Sequence, residues 1–147
     1  MWQALQIYHL NVNCRNLERS LAFYEKLGFR EVIDLPERDL PGLGPVPRRG
    51  RAKLLRLGDD PRAPLLDLLE WTLPATLGEP YPHLANVGIA RFCLRVKGLD
   101  EMVATLRAAG VEFVDEPCAP ALNGINHKFV CFLDPDGTVV EAMEFFK

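Results

Sequence analysis

The stretch His9-Leu-Asn-Val-Asn-Cys-Arg-Asn-Leu-Glu-Arg-Ser-Leu-Ala-Phe-Tyr-Glu-Lys-Leu-Gly28 decides the fold, because the chain carries its pattern twice. The second copy is Arg91-Phe-Cys-Leu-Arg-Val-Lys-Gly-Leu-Asp-Glu-Met-Val-Ala-Thr-Leu-Arg-Ala-Ala-Gly110, and the two lie over each other without a gap. Both hold an alternating strand, a Leu-acid step, an amphipathic run and a closing Gly. From Leu5 to Val12, Tyr8, Leu10 and Val12 are expected on the core side of a strand, with Ile7, His9 and Asn11 on the other. Asn16 offers a helix N-cap with Glu18 in the first turn, and Leu17, Leu21, Phe23, Tyr24 and Leu27 form a stripe that Gly28 ends.

Working outward, Arg30 to Leu35 reads as a strand. The segment Pro36 to Arg51 holds four Pro and three Gly, a composition expected to lack regular structure and to suit a binding loop or lid. Ala52 to Leu57 and Pro64 to Thr72 read as strands joined by a Gly58-Asp-Asp-Pro61 turn. Leu73 to Asn86, with Pro74, Pro80 and Pro82, reads as a linker. The second copy gives strand Arg91–Val96, helix Asp100–Ala109, strand Glu112–Glu116, a loop through Asn126, and strands Lys128–Leu133 and Thr138–Phe145. The turn Asp134-Pro-Asp-Gly137 joins the last two, with Pro fixing φ and Gly taking the left-handed position. The expectation is an α+β fold. Two tandem β-α-β-β-β modules form a curled mixed sheet around a cleft, with helices outside. Residues 1–147 then make a single domain of module 1 (5–72), linker (73–86) and module 2 (87–147).

At 147 residues, one domain can bury about 68–70% of its unfolded surface. Seventeen Lys and Arg against 20 Asp and Glu give a net charge of −3 without a block of like charges, which argues against nucleic acid as a partner. No apolar run is long enough to span a bilayer, so no membrane partner is expected. Cys14, Cys93, Cys118 and Cys131 lack metal-type spacing and the N-terminus lacks a signal-peptide pattern. These features favour reduced thiols in a cytoplasmic protein, acting as small buried hydrophobes.

The His9 strand with Asn16-Leu-Glu-Arg-Ser-Leu-Ala-Phe-Tyr-Glu-Lys-Leu-Gly-Phe29, and Phe132-Leu-Asp-Pro-Asp-Gly-Thr-Val-Val-Glu141, resemble the vicinal oxygen chelate superfamily. That superfamily includes glyoxalase I, extradiol dioxygenases, methylmalonyl-CoA epimerases, fosfomycin-modifying transferases and bleomycin-binding proteins. The resemblance covers nearly the whole chain and implies a small-molecule ligand and a homodimer. It also implies a divalent metal held by four side chains, with positions falling on His9, Asp67, Arg91 and Glu141. Asp67-Leu-Leu-Glu70 corresponds to Glu141-Ala-Met-Glu144 across the repeat. Arg91 departs from the pattern, since a guanidinium has five donors and no lone pair for a metal.

Three readings of the cup follow. In the first, His9, Asp67 and Glu141 hold Mn, Fe, Co, Ni or Zn as a Lewis acid. In the second, which places no cofactor there, Arg91 replaces the cation and pairs with Glu141 or Asp67, an arrangement that is equally a plain salt bridge. In the third, Arg91, with Arg95 two residues along, receives an anionic or carbonyl oxygen while Glu141 or His9 exchanges a proton. Catalytic roles are thus expected for Arg91, Glu141 and His9, and substrate contacts for Arg91, Asp67, Trp71, Phe129 and Met143. Aromatic residues at alternating strand positions, Phe145 included, equally suit a simple core. His83 and His127 are expected to be exposed loop residues, Glu70 and Glu144 to lie at the rim or under the helices, and Tyr24 to pack in the core. The leading function is a glyoxalase-like enzyme of proton transfer or rearrangement on a small oxygenated or carboxylated metabolite. A non-catalytic antibiotic-binding protein is the alternative, and an orphan scaffold with a decayed site the third possibility.

Overall fold

The computed structural model describes residues 1–147 and divides them into two compact units, Met1–Gly78 and Glu79–Lys147. The architecture is α+β, with two helices and seven strands in two open mixed sheets. No helix is long and apolar enough to cross a membrane.

The first unit comprises β1 (His9–Asn13), α1 (Leu17–Lys26), β2 (Phe29–Asp39), β3 (Arg49–Leu57) and β4 (Leu65–Leu73), in the sheet order β1-β4-β3-β2. β1 runs parallel to β4, with His9 opposite Leu65 and Asn11 opposite Asp67. The Asn16 side chain caps α1 by accepting the Arg19 N–H at 2.9 Å, and Gly28 follows the helix at φ 93°, a left-handed conformation that glycine adopts without a Cβ clash. α1 covers one face of the sheet. Leu17, Phe23 and Tyr24 from the helix and Leu55, Leu66 and Leu68 from the strands are buried, and Tyr24 meets Phe23 and Phe29 edge-on at 5.1 and 5.8 Å.

Three boundaries differ from expectation. Residues 5–8 do not extend β1, because the partner strand begins only at Leu65, after Pro64. Trp2, Leu5, Ile7 and Tyr8 are exposed. The segment 36–51, expected to be irregular, is so only over residues 40–48: β2 continues to Asp39 and β3 starts at Arg49, with the Leu40 N–H donating to the Arg48 carbonyl at 2.9 Å. Pro36 is tolerated because β2 is an edge strand and its register shifts between Leu35 and Arg38.

The second unit repeats the plan with β5 (Phe92–Arg95), α2 (Leu99–Ala108), β6 (His127–Leu133) and β7 (Val139–Phe145), ordered β5-β7-β6. Leu94, Val130, Phe132, Val140 and Ala142 of the strands and Leu99, Val103 and Leu106 of α2 are buried. The expected strand Glu112–Glu116 is absent. Isolated bridges join Phe113 to Phe132 and Cys118 to Phe129 instead, since Pro117 interrupts the ladder and removes a donor. The turn at Asp134 forms as expected: its Oδ1 accepts from the N–H of Asp136 and of Thr138, and the Gly137 N–H closes on its carbonyl at 3.0 Å.

Candidate functional site

Each sheet has a face turned away from its helix, and strand parity assigns the candidate residues to those faces. In the first unit, His9, Asn11 and Asn13 of β1 share their face with Asp67, Leu69 and Trp71 of β4. Asp67 stands opposite Asn11 on one side and Leu54 on the other. Its Oδ2 lies 3.9 Å from His9 Nε2 and accepts a long hydrogen bond from Asn11 Nδ2 at 3.4 Å, while Oδ1 is buried without a partner. Burial pushes the Asp67 carboxyl above its ordinary pKa, against the opposing influence of His9, Asn11 and Arg38. Trp71 donates its indole N–H to Asn13 Oδ1 at 2.9 Å, and the Arg48 guanidinium lies 5.5 Å from its ring.

In the second unit the corresponding face carries Cys93 and Arg95 of β5, with Arg91 immediately before that strand, Glu141, Met143 and Phe145 of β7, and Cys131, Phe129 and His127 of β6. Glu141 is flanked by Cys93 on one side and Cys131 on the other. Arg91 Nε donates to Glu141 Oε2 at 2.5 Å; the carboxylate side chain is 7% exposed and the guanidinium side chain 42%. That bond holds the Arg91 pKa above its ordinary value, so the guanidinium stays charged. Burial, aided by the Glu141 charge, raises the Cys93 thiol to about 11 and pushes Cys131 upward as well. Both thiols are protonated at neutral pH and are poor nucleophiles.

Phe129 stands opposite Met143, both half-buried, and Arg95 lies 5.4 Å from the Phe145 ring. His127, expected as an exposed loop residue, is instead buried in β6, 6.1 Å from the Phe129 ring in a stacked arrangement, with Nδ1 3.2 Å from the Ile125 carbonyl. Its parity with Phe129 and Cys131 is the signal that would have found it. His83 is exposed. Of four cysteines expected to be buried, Cys14 and Cys131 are, whereas Cys93 and Cys118 are exposed because they lie on an edge strand and in a loop. None of the four forms a disulfide.

Asn11, Cys93 and Cys131 are the neighbours that sequence reading passed over. Each sits at a position that strand parity and pairing place beside the acid of its sheet. Glu70 and Glu144 lie on the opposite face, under the helices. Glu70 Oε2 accepts the Leu17 N–H at 2.8 Å and pairs with Arg51, while the Glu144 oxygens accept the N–H groups of Gly98 and Leu99 at 2.8 and 2.9 Å. Gly98 has no side chain to cap α2, and Glu144 supplies that function from the neighbouring strand.

A four-ligand metal centre does not fit this donor set. His9 and Asp67 approach each other, but the Glu141 oxygen is engaged by Arg91, itself unable to ligate, and no group of three or more His, Cys, Asp or Glu is assembled to hold an ion.

The chain resembles solved structures over nearly its full length. A glyoxalase family protein from Bacillus cereus shares 17% identity at a TM-score of 0.81, covering 99% of this chain and 97% of that one. A glyoxalase family protein from Enterococcus faecalis shares 24% identity at a TM-score of 0.67, covering 95% and 97%. A genomically encoded fosfomycin resistance protein from Listeria monocytogenes shares 17% at 0.60, covering 98% and 94%. These likenesses are ones of fold. Comparison with curated proteins finds no match. The family model for glyoxalases, bleomycin resistance proteins and dioxygenases matches residues 6–142, spanning both copies of the repeat, and the chain therefore belongs to the Glyoxalase/Bleomycin resistance protein/Dioxygenase superfamily.

Proposed function

We propose that this chain is a glyoxalase-like enzyme that moves a proton on a small oxygenated or carboxylated metabolite, with Glu141 as the base and Arg91 as the group that holds the reacting oxygen. The observation that carries this reading is the Arg91–Glu141 pair: a nearly buried carboxylate bonded at 2.5 Å to a guanidinium that is partly open to solvent. In that arrangement the carboxylate takes a proton from the carbon next to a carbonyl, and the guanidinium donates to the oxygen on which the enolate charge develops. Cys93 and Cys131 flank the carboxylate as protonated thiols and do not compete with it as bases. Phe129 and Met143, on the same face of the second sheet as Glu141, offer apolar contacts to the ligand, and in the first unit His9, in ion-pair range of Asp67, can carry a proton. The proposal includes a homodimer, for which the unpaired edges of β1 and β5 and the exposed Trp2, Leu5, Ile7 and Tyr8 supply surface.

The test is hydrogen–deuterium exchange at the α-carbon of a panel of keto- and hydroxy-acids in D2O, followed by NMR. The parent chain is expected to accelerate exchange of at least one compound, and Glu141→Gln to slow it by about 100-fold or more. Equal rates for parent, Glu141→Gln and Arg91→Ala would refute the assignment. A compound that binds and is recovered unchanged, with no exchange, would instead identify a non-catalytic binding protein.

A further inference from the structure

Six of the twelve arginines sit against a carboxylate: Arg30 with Asp59, Arg49 with Glu37 and Asp39, Arg51 with Glu70, Arg62 with Asp60, Arg91 with Glu141 and Arg107 with Glu116. Arg38, Arg48 and Arg56 have no such partner, and all three lie on the face of the first sheet turned away from α1. Arg38 pairs in register with Gly50, and the Leu40–Arg48 backbone bond continues that ladder, so Arg38 and Arg48 are diagonal neighbours. Arg56 is in register with Leu65, three strand steps from Gly50 on the same face.

Arg48 is held in place. Its guanidinium lies 5.5 Å from the Trp71 ring on one side, and on the other a Cβ built at Gly44 would stand 3.1 Å from its Nε. Nε of Arg48 and Nε of Arg56 are both buried without an acceptor. A buried donor left unmatched is costly, and the diagonal pair Arg38 and Arg48, without a counter-ion, repel each other. Asp67, on the same face, feels the charge of Arg38 but forms no ion pair with it.

We propose that Arg38 and Arg48, beside Trp71, form an anion site for the carboxylate or phosphate group of a small ligand. The guanidinium fork matches the paired oxygens of either group, and an oxyanion between Arg38 and Arg48 would supply the counter-charge that both lack. The site stands independently of the reaction assigned to Glu141. A short cluster on a chain of net charge −3 suits a single small anion rather than a nucleic-acid backbone.

Inorganic phosphate and benzoate, each titrated into the full chain at constant ionic strength, test this with tryptophan fluorescence and melting temperature as readouts. The expected result is a saturable change with Kd near or below about 1 mM for at least one of them, the stronger ligand showing which oxyanion the site takes. Arg38→Met and Arg48→Met should each weaken binding about tenfold or more, and Arg62→Met should leave it unchanged. Trp71→Phe should abolish most of the optical signal while the ligand still raises the melting temperature. Without ligand, Arg38→Met and Arg48→Met should melt no lower than the parent, an outcome that a purely structural role for these arginines would not give. No saturable response to either anion, undiminished affinity in both arginine variants, or a lower unliganded melting temperature for both would overturn the proposal.

Discussion

Removing the Arg91 side chain should strand a carboxylate. Glu141 is 7% exposed, set between two strands, with Arg91 Nε at 2.5 Å. Two unit charges about 4 Å apart interact by about 4 kcal/mol at an effective dielectric of about 20, and loss of one partner of a buried pair costs about 3–5 kcal/mol. Arg91 is 42% exposed, so water screens one member and the expected cost of Arg91→Ala falls to about 1–2 kcal/mol. Changing Glu141→Gln at the same time removes the stranded charge, and the double variant should recover most of the loss. The assay is urea denaturation of the four proteins of the cycle at pH 7 and physiological salt. For a chain of 147 residues the Arg91→Ala penalty corresponds to a melting temperature about 2–8 °C lower. A coupling energy within about 0.3 kcal/mol of zero would refute the reasoning, because it would mean that the pair is fully screened and contributes nothing to holding Glu141.

Glu144 is held below its ordinary pKa by the Gly98 and Leu99 N–H groups, so the stabilisation it gives is present above about pH 4.5 and is lost as pH falls through the lower folded value. The stability difference between parent and Glu144→Gln should accordingly shrink below pH 4.5; a difference constant from about pH 3 to 7 would contradict this. Cys93, though exposed, should alkylate slowly at pH 8 and speed up steadily towards its pKa of about 11, a profile that peptide mass spectrometry of iodoacetamide-treated protein would read. Gly50→Ala would bring its Cβ within 2.8 Å of the Glu70 carbonyl oxygen, between Leu40 and Leu69, and should lower stability by about 1–3 kcal/mol in the same urea assay.

The helices and their ends were legible because their signals are local. Asn16, Gly28 and Gly110 act on the turn of chain that contains them, and the apolar stripes of α1 and α2 point at one surface each. Strand limits were less legible because they depend on partners distant in sequence. The apolar character of Leu5 and Ile7 predicts a strand, but pairing starts only where β4 does, beyond Pro64. Pro36 marks a loop by composition, yet an edge strand with a shifted register absorbs it. The candidate acids emerged from the repeat itself, since Asp67 and Glu141 share a position in the two copies. Their neighbours Asn11, Cys93 and Cys131 required the pairing register, which no single strand discloses.

The last strand of each unit carries two acids three residues apart, Asp67 with Glu70 and Glu141 with Glu144, and alternation sends them to opposite faces. One acid of each pair tethers the start of a helix, while the other looks out among residues that differ between the copies, His9 and Asn11 against Arg91 and Cys93. Anchorage and chemistry are thereby assigned to separate sides of a single strand. Substitution on the outward side leaves the helix tether intact, which gives a duplicated chain of this kind freedom to diverge in reactivity while conserving its shape.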